Sequence, residues 1–280
     1  VAARDHRGWP GWRTFALILA AMVFARTCAM AFNRVADRRF DAANPRTAGR
    51  HLPAGTVSLA GALALWAVSA VGFIGAAYLI NRPCFYLSPV ALVVICFYSL
   101  TKRFTDFTHV FLGIALALAP LGAWLAVTGT FEFLPVRDGA VSIRHSALLA
   151  VLLAIAVVFW LIGFDIIYAL QDYEFDRSHG LHSLVVRWGV KNALGASFLS
   201  HFIMWMVLAV FGFLARFWAA YMIGLGIIAF CLVLEHWLAR KRSLKWINVA
   251  FFRLNALISA VFLVVTVAEV AFPRFRYLAR

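Results

Sequence analysis

Eight apolar stretches govern what this chain can become, because each is about as long as the 17 to 25 residues that carry a helix across a hydrocarbon core. They fall at roughly 14–32, 56–80, 84–100, 107–128, 146–169, 193–214, 217–238 and 247–271. Lipid offers backbone N–H and C=O groups no partners, so segments at that depth must satisfy their own hydrogen bonds as helices. A membrane barrel would instead need short alternating segments. The expected fold is an all-α membrane protein, a bundle of about eight transmembrane helices forming one domain over 1–280. The division between 193–214 and 217–238 is the weakest in the series. Composition agrees: 14% of residues are charged and mean hydropathy is +0.87, whereas soluble domains are about a quarter charged.

Basic residues set the orientation, since Lys and Arg are retained on the cytoplasmic side of short loops. Alternate connections carry Arg34, Arg38, Arg39, Arg46 and Arg50, then Lys102 and Arg103, then Arg177, Arg187 and Lys191, then Arg240, Lys241, Arg242 and Lys245. The interior connections of the opposite set hold only Arg82, Arg137, Arg144 and Arg216. The first set is therefore expected to face the cytoplasm from a bacterial inner membrane. This topology also accounts for most of the +14 formal charge, so no nucleic acid partner is expected despite the basic balance. Cys28, Cys84, Cys96 and Cys231 are scattered through apolar runs without a CxxC spacing, which suits small core residues rather than ligands or disulfides. No cleavable signal is visible in the first 13 residues. The orientation would carry Arg4, Arg7 and Arg13 across the membrane, so a further helix is expected upstream.

Carboxylates are scarce, which makes their placement informative. Of 12 Asp and Glu, six (Asp37, Asp41, Asp165, Asp172, Glu174 and Asp176) lie in or just before two segments, Asn33–Asp41 and Tyr168–Asp176. Both segments fall on the expected cytoplasmic side, separated by an even number of spans. On a helix, positions four apart stay on one face. Asn33, Asp37 and Asp41 thus share a face of an extended first span, and Tyr168, Asp172 and Asp176 share a face of another. Two such faces could hold about two Mg²⁺ ions, which use one or two carboxylates each plus phosphate oxygens and water. The surrounding Arg46, Arg50, Lys102, Arg103, Arg177 and Arg187 would neutralise a diphosphate bridged by those ions.

Arg26 lies two turns before Asn33 on the same face, about 10 Å deeper, where a charge needs a partner or a wet cavity. It suits either neutralisation by a neighbouring helix or, the reading preferred here, a contact to an anionic substrate below the metal site. His201 and Asn255 also lie within spans and are read as helix-to-helix hydrogen bonds. The 26 Phe and 10 Trp are enough to line a groove for a hydrocarbon tail, although aromatics in spans are ordinary. A diphosphate head and an apolar tail together describe a polyprenyl diphosphate. A transporter would concentrate ionisable groups at mid-membrane, which fits less well.

The motifs Asn33-Arg-Val-Ala-Asp37-Arg-Arg-Phe-Asp41, Asn44-Pro-Arg46-Thr47, Tyr98-Ser-Leu-Thr101-Lys102-Arg103 and Asp165-Ile-Ile-Tyr168-Ala-Leu-Gln171-Asp172-Tyr-Glu-Phe-Asp176, in that order, resemble the UbiA-type superfamily of intramembrane aromatic prenyltransferases. The resemblance covers nearly the whole chain. It implies nine transmembrane helices around a central cavity, with the eight stretches here corresponding to the second to ninth. It also implies Mg²⁺ ligation by Asn33, Asp37 and Asp41 in the first motif and by Asp172 and Asp176 in the second. Lys102 and Arg103 would hold the diphosphate with Arg46 in support. Arg34 departs from the pattern, since many members have Asp there. The implied reaction is ionisation of the allylic diphosphate followed by attack of a phenol ring ortho to its hydroxyl. Asp165 would orient that ring or accept its proton, and Arg26 and Tyr168 would contact the acceptor. The strings Tyr168–Asp176 and Gly180-Leu-His182-Ser183 resemble 4-hydroxybenzoate polyprenyltransferases and the branch that prenylates dihydroxynaphthoate in futalosine-route menaquinone synthesis. Relatives acting on haem, homogentisate or a phosphoribosyl sugar are the nearer alternatives.

Overall fold

The computed structural model describes residues 8–137, 140–141, 146–240 and 249–272. The readings made above on Arg4, Arg7, Arg144, Lys241, Arg242, Lys245 and the first two residues of the 247–271 stretch lie outside these. The helices are α1 (Trp12–Ala43), α2 (Leu59–Ile80), α3 (Arg82–Phe97), α4 (Thr108–Thr128), α5 (Leu148–Ala169), α6 (Tyr173–Ser178), α7 (Leu184–Leu214), α8 (Ala219–Ala239) and α9 (Asn255–Ala271). Two 3₁₀ turns, Tyr98–Arg103 and Leu170–Asp172, follow α3 and α5, and a π turn over Val249–Leu254 leads into α9. The only strands among the described residues form a hairpin of two residues each, Val136–Arg137 with Ala140–Val141. Eight helical stretches are long and apolar enough to cross a membrane. They coincide with the eight apolar runs of the sequence, and the chain is a multi-pass membrane protein.

Local chemistry places the ends. Asn81 begins α3 by accepting from the Cys84 N–H at 2.9 Å, with Pro83 in the first turn where its missing N–H costs nothing. The same amide donates to the Leu125 carbonyl at 2.9 Å and so ties the α2–α3 corner to α4. Ser183 caps α7 through the Val186 N–H. Gly189, at φ 73°, breaks α7 into a short lead, which carries Arg187, and a long rod, so helix starts at 184, ahead of the apolar run at 193. The uncertain division between α7 and α8 is made by the turn at 215–218, with Arg216 at φ 54°.

Neighbouring helices pack in chain order, and α1 also touches α3 and α4. The main core lies among α4, α5, α7, α8 and α9, around Trp124, Leu149, Met204, Phe211, Tyr221, Ile228 and Ile258. A polar seam runs through it. Trp160 Nε1 donates to Asn255 Oδ1 at 2.7 Å, and Asn255 Nδ2 donates to Glu235 Oε1 at 3.1 Å. The His201 and His236 rings meet at 3.0 Å. His201 and Asn255 therefore join helices as their positions suggested. Gly163 allows the approach of α5 to α7, since a Cβ there would overlap the His201 ring. Cys28 and Cys231 are buried, Cys84 and Cys96 half-buried, and all four are free thiols.

Candidate active site

The first motif rides on α1, whose 32 residues run unbroken from the apolar stretch into the polar one. The second does not share that form. α5 ends at Ala169, a 3₁₀ turn carries Asp172, and α6 carries Asp176. The expected single helical face through Tyr168, Asp172 and Asp176 is thus interrupted, because 3₁₀ geometry turns faster than α. Asp165 is correspondingly separated from Asp172 by the break.

The α1–α2 loop reaches across to the second motif. Asn44 Oδ1 accepts the Arg46 N–H at 2.9 Å in an Asx turn, and Thr47 Oγ1 donates to the Asp41 carbonyl at 3.0 Å. This fold-back sends Arg46 and Asn44 onto Asp172. Arg46 Nε donates to Asp172 Oδ1 at 2.8 Å, Arg46 Nη2 donates to Asp172 Oδ2, and Asn44 Nδ2 donates to Oδ1 at 3.0 Å. The pair is the two-pronged guanidinium–carboxylate form. Arg46 Nη1 also donates to the Tyr168 hydroxyl at 3.0 Å. Burial opposes the Arg46 charge, but the Asp172 carboxylate outweighs it and holds the guanidinium pKa above its ordinary value.

Lys102 and Arg103, adjacent in the 3₁₀ turn after α3, divide between the motifs. Lys102 Nζ lies 3.3 Å from Asp176 Oδ2, and Arg103 Nη2 lies 3.3 Å from Asp37 Oδ1 while donating to the Ala36 carbonyl at 2.8 Å. On α1, Asn33 Nδ2 donates to Asp37 Oδ2 at 2.9 Å. Asp41 Oδ1 accepts from Arg50 at 2.6 Å, and its Oδ2 faces Arg34 at 3.7 Å. The two carboxylate segments meet at one end of the bundle with cations threaded between them, among them Arg46, 126 residues from its partner Asp172.

Each of the four cap aspartates faces a guanidinium or ammonium. Among the described residues no three His, Cys, Asp or Glu side chains converge closely enough to hold an ion unaided. Mg²⁺ needs no such cage, since it takes one or two carboxylates beside phosphate and water. The donor set fits it: hard oxygens throughout, and a buried Asp41 Oδ2 without a hydrogen-bond donor.

Below the first motif, Arg26, Thr27, Met30, Ala31 and Arg34 of α1 and Leu65 of α2 line an open cleft of about 310 Å³. Arg26 and Arg34 both line it. Lys102 is close enough to Asp165 for their charges to interact. Two residues outside the sequence reading complete the picture. Asn44, quoted only as part of a motif, is a direct partner of Asp172. His109, on α4, sits 2.6 Å from Asp165 Oδ2; its one signal in the sequence is an imidazole at the start of an apolar run.

The UbiA prenyltransferase family model matches residues 2–257. The chain is 30% identical over 263 residues to a 4-hydroxybenzoate octaprenyltransferase of Methylobacillus flagellatus, covering 94% of this chain and 83% of that one. It is 27% identical over 236 residues to the enzyme of that name from Tolumonas auensis, covering 84% and 77%. Its fold is similar to the apo structure of a UbiA homolog from Aeropyrum pernix K1, with a TM-score of 0.82, 30% identity, and 96% and 93% of the two chains covered. A UbiA homolog from Archaeoglobus fulgidus, solved with GPP and Mg²⁺, shares the fold at a TM-score of 0.67 and 20% identity over 91% and 88%. With the two motif caps joined through hydrogen bonds and ion pairs at one end of the bundle and the family model spanning most of its length, the chain belongs to the UbiA prenyltransferase family.

Proposed function

We propose that the protein transfers a polyprenyl group from polyprenyl diphosphate to an aromatic acid bearing a ring hydroxyl, 4-hydroxybenzoate or a dihydroxynaphthoate, in quinone biosynthesis. The observation that carries this reading is the contact between motifs: Arg46 and Asn44 on Asp172, with Lys102 and Arg103 each turned to a different motif. Carboxylates and cations in alternation suit a metal-bridged diphosphate. The 4-hydroxybenzoate octaprenyltransferase relatives and the Mg²⁺ and GPP in an Archaeoglobus homolog support the same chemistry.

Asn33, Asp37 and Asp41 would hold Mg²⁺ from one side, and Asp172 and Asp176 from the other. When bound, the metal supplies positive charge to diphosphate oxygens. Lys102, Arg103 and Arg46 would exchange their carboxylate partners for those oxygens and stabilise the anion as the allylic C–O bond breaks. The surrounding helices keep water from the allylic cation. Arg26, with Arg34 beside it in the cleft, is suited to the acceptor's carboxylate, Tyr168 to contact with the ring, and Asp165 to its hydroxyl proton. The motif end of the bundle faces the cytoplasm of a bacterial inner membrane in this reading, as its Lys and Arg require.

The test is a membrane assay with radiolabelled prenyl diphosphate and each acid, with Mg²⁺ or with EDTA. Labelled product that needs both the acid and the metal is expected. Product from neither acid, or undiminished product in EDTA, would end the proposal.

A further inference from the structure

The pairing of Asp165 differs in kind from that of the cap aspartates. Asp37, Asp41, Asp172 and Asp176 each face a permanent cation, whereas Asp165 Oδ2 meets His109 Nδ1 at 2.6 Å. The imidazole has no solvent exposure, and its Nε2 is buried without a hydrogen-bond partner. A proton on Nε2 would be a buried donor lacking an acceptor. The geometry therefore selects the ring with its proton on Nδ1, donating to Asp165. Protonating Asp165 would break none of the arginine or lysine pairs, while protonating a cap aspartate would.

Backbone packing holds this pair in register. Gly113, one turn beyond His109 on α4, lies against Val158, two turns before Asp165 on α5, so closely that a Cβ would sit 2.9 Å from the Val158 carbonyl oxygen. The crossing of the two helices thus brings His109 onto Asp165. Asp165 keeps partial exposure, with 22% of its side chain accessible, near Lys102 and the Tyr98 hydroxyl. One carboxylate oxygen is committed to His109. The other remains for a ligand.

We propose that His109 is the positioning residue for acceptor deprotonation, fixing Asp165 so that its second oxygen takes the proton of the acceptor's ring hydroxyl. This rests on the aromatic-acceptor reading above. In the step, Asp165 removes the hydroxyl proton and the ortho carbon forms its bond to prenyl C1. The C1–O bond breaks with its electron pair leaving on diphosphate. The ortho carbon then gives its proton to the departing diphosphate as aromaticity returns, and Asp165 returns the first proton to the ring oxygen. Atoms and charge balance, and Asp165 ends as it began.

The experiment uses the purified full chain in lipid vesicles with a prenyl diphosphate, Mg²⁺ and 4-hydroxybenzoate, and then ring-fluorinated 4-hydroxybenzoates whose hydroxyls are more acidic. His109→Leu should lower kcat about 100-fold, the low end of what general acid–base catalysis contributes, with KM for prenyl diphosphate unchanged. The deficit relative to wild type should shrink along the fluorinated series, where the hydroxyl ionises unaided. His109→Asn, which keeps an N–H near the Nδ1 position, should recover most of the rate; His109→Phe replaces His109→Leu if that variant does not fold. Wild-type kcat in both apolar variants, a deficit constant across the series, or a raised KM for prenyl diphosphate would overturn the role of His109 alone. A wild-type enzyme that prenylates none of these acids or a dihydroxynaphthoate would overturn the acceptor reading and this proposal together.

Discussion

The carboxylate cap and the polar seam inside the second half of the bundle are both built from scarce polar residues, yet they are held in opposite ways. In the cap, long Arg and Lys side chains at 27% to 38% exposure grip the aspartates. In the seam, Trp160, Asn255 and Glu235 join three helices through hydrogen bonds, with Glu235 fully buried and Asn255 nearly so. Asp41, Asp172 and Asp176 are themselves buried, so a cation that leaves them must be replaced by another, and the partly exposed Arg and Lys stems leave room for that exchange. Buried hydrogen bonds cannot be exchanged without stranding a donor or acceptor. Under the proposed function, a ligand would take the first region apart while the second keeps the helices in register.

Removing a cap carboxylate is the sharpest way to break this contrast. Asp37→Ala or Asp172→Ala should lower kcat by at least about 10²–10³-fold, the scale of lost leaving-group stabilisation, while the thermal unfolding midpoint in detergent stays within a few degrees of wild type. A collapse of the fold would mean that the cap is structural after all. The reverse outcome is expected in the seam. Asn255→Leu leaves the Trp160 N–H and Glu235 Oε1 without partners and should cost about 1–3 kcal/mol for each stranded group, read as a lower midpoint with turnover per folded molecule retained.

Smaller substitutions refine the comparison. Arg46→Lys keeps the charge but loses the two-pronged grip on Asp172, and a loss of about tenfold in kcat/KM for prenyl diphosphate is expected, equivalent to about 1.4 kcal/mol. Unchanged kinetics would reduce Arg46 to a point charge. At the rim, His182 Nδ1 and Asp106 Oδ1 are 2.9 Å apart but partly exposed, so His182→Ala should move stability by less than about 1 kcal/mol. A larger drop would show that the rim belongs with the seam.

The eight spans were legible because apolar length is a property of consecutive residues. The breaks within them were less so. The 3₁₀ turn at Leu170–Asp172 interrupts helix inside a continuous motif, and Gly189 kinks α7 ahead of the 193–214 run, where a single glycine is often tolerated in a helix. The cap residues could be named from their spacing, but not their pairings, because Arg46 and Asp172 are 126 residues apart. His109 and His201 illustrate the limit. Each is a lone imidazole in an apolar run, and only the partner across the helix crossing separates them: a carboxylate for His109, another imidazole for His201.

The unbroken α1 has a further effect. At 32 residues it is about 48 Å long, against a hydrocarbon core of about 30 Å, so it lifts the first motif clear of the lipid as a rigid mast. The second motif, on short α6 beyond a turn, is fastened to the end of that mast by Asn44 and Arg46 on Asp172. A bilayer thick or thin enough to tilt the mast is therefore expected to carry both sets of aspartates together, so that the link between the motifs keeps the chemistry indifferent to membrane thickness.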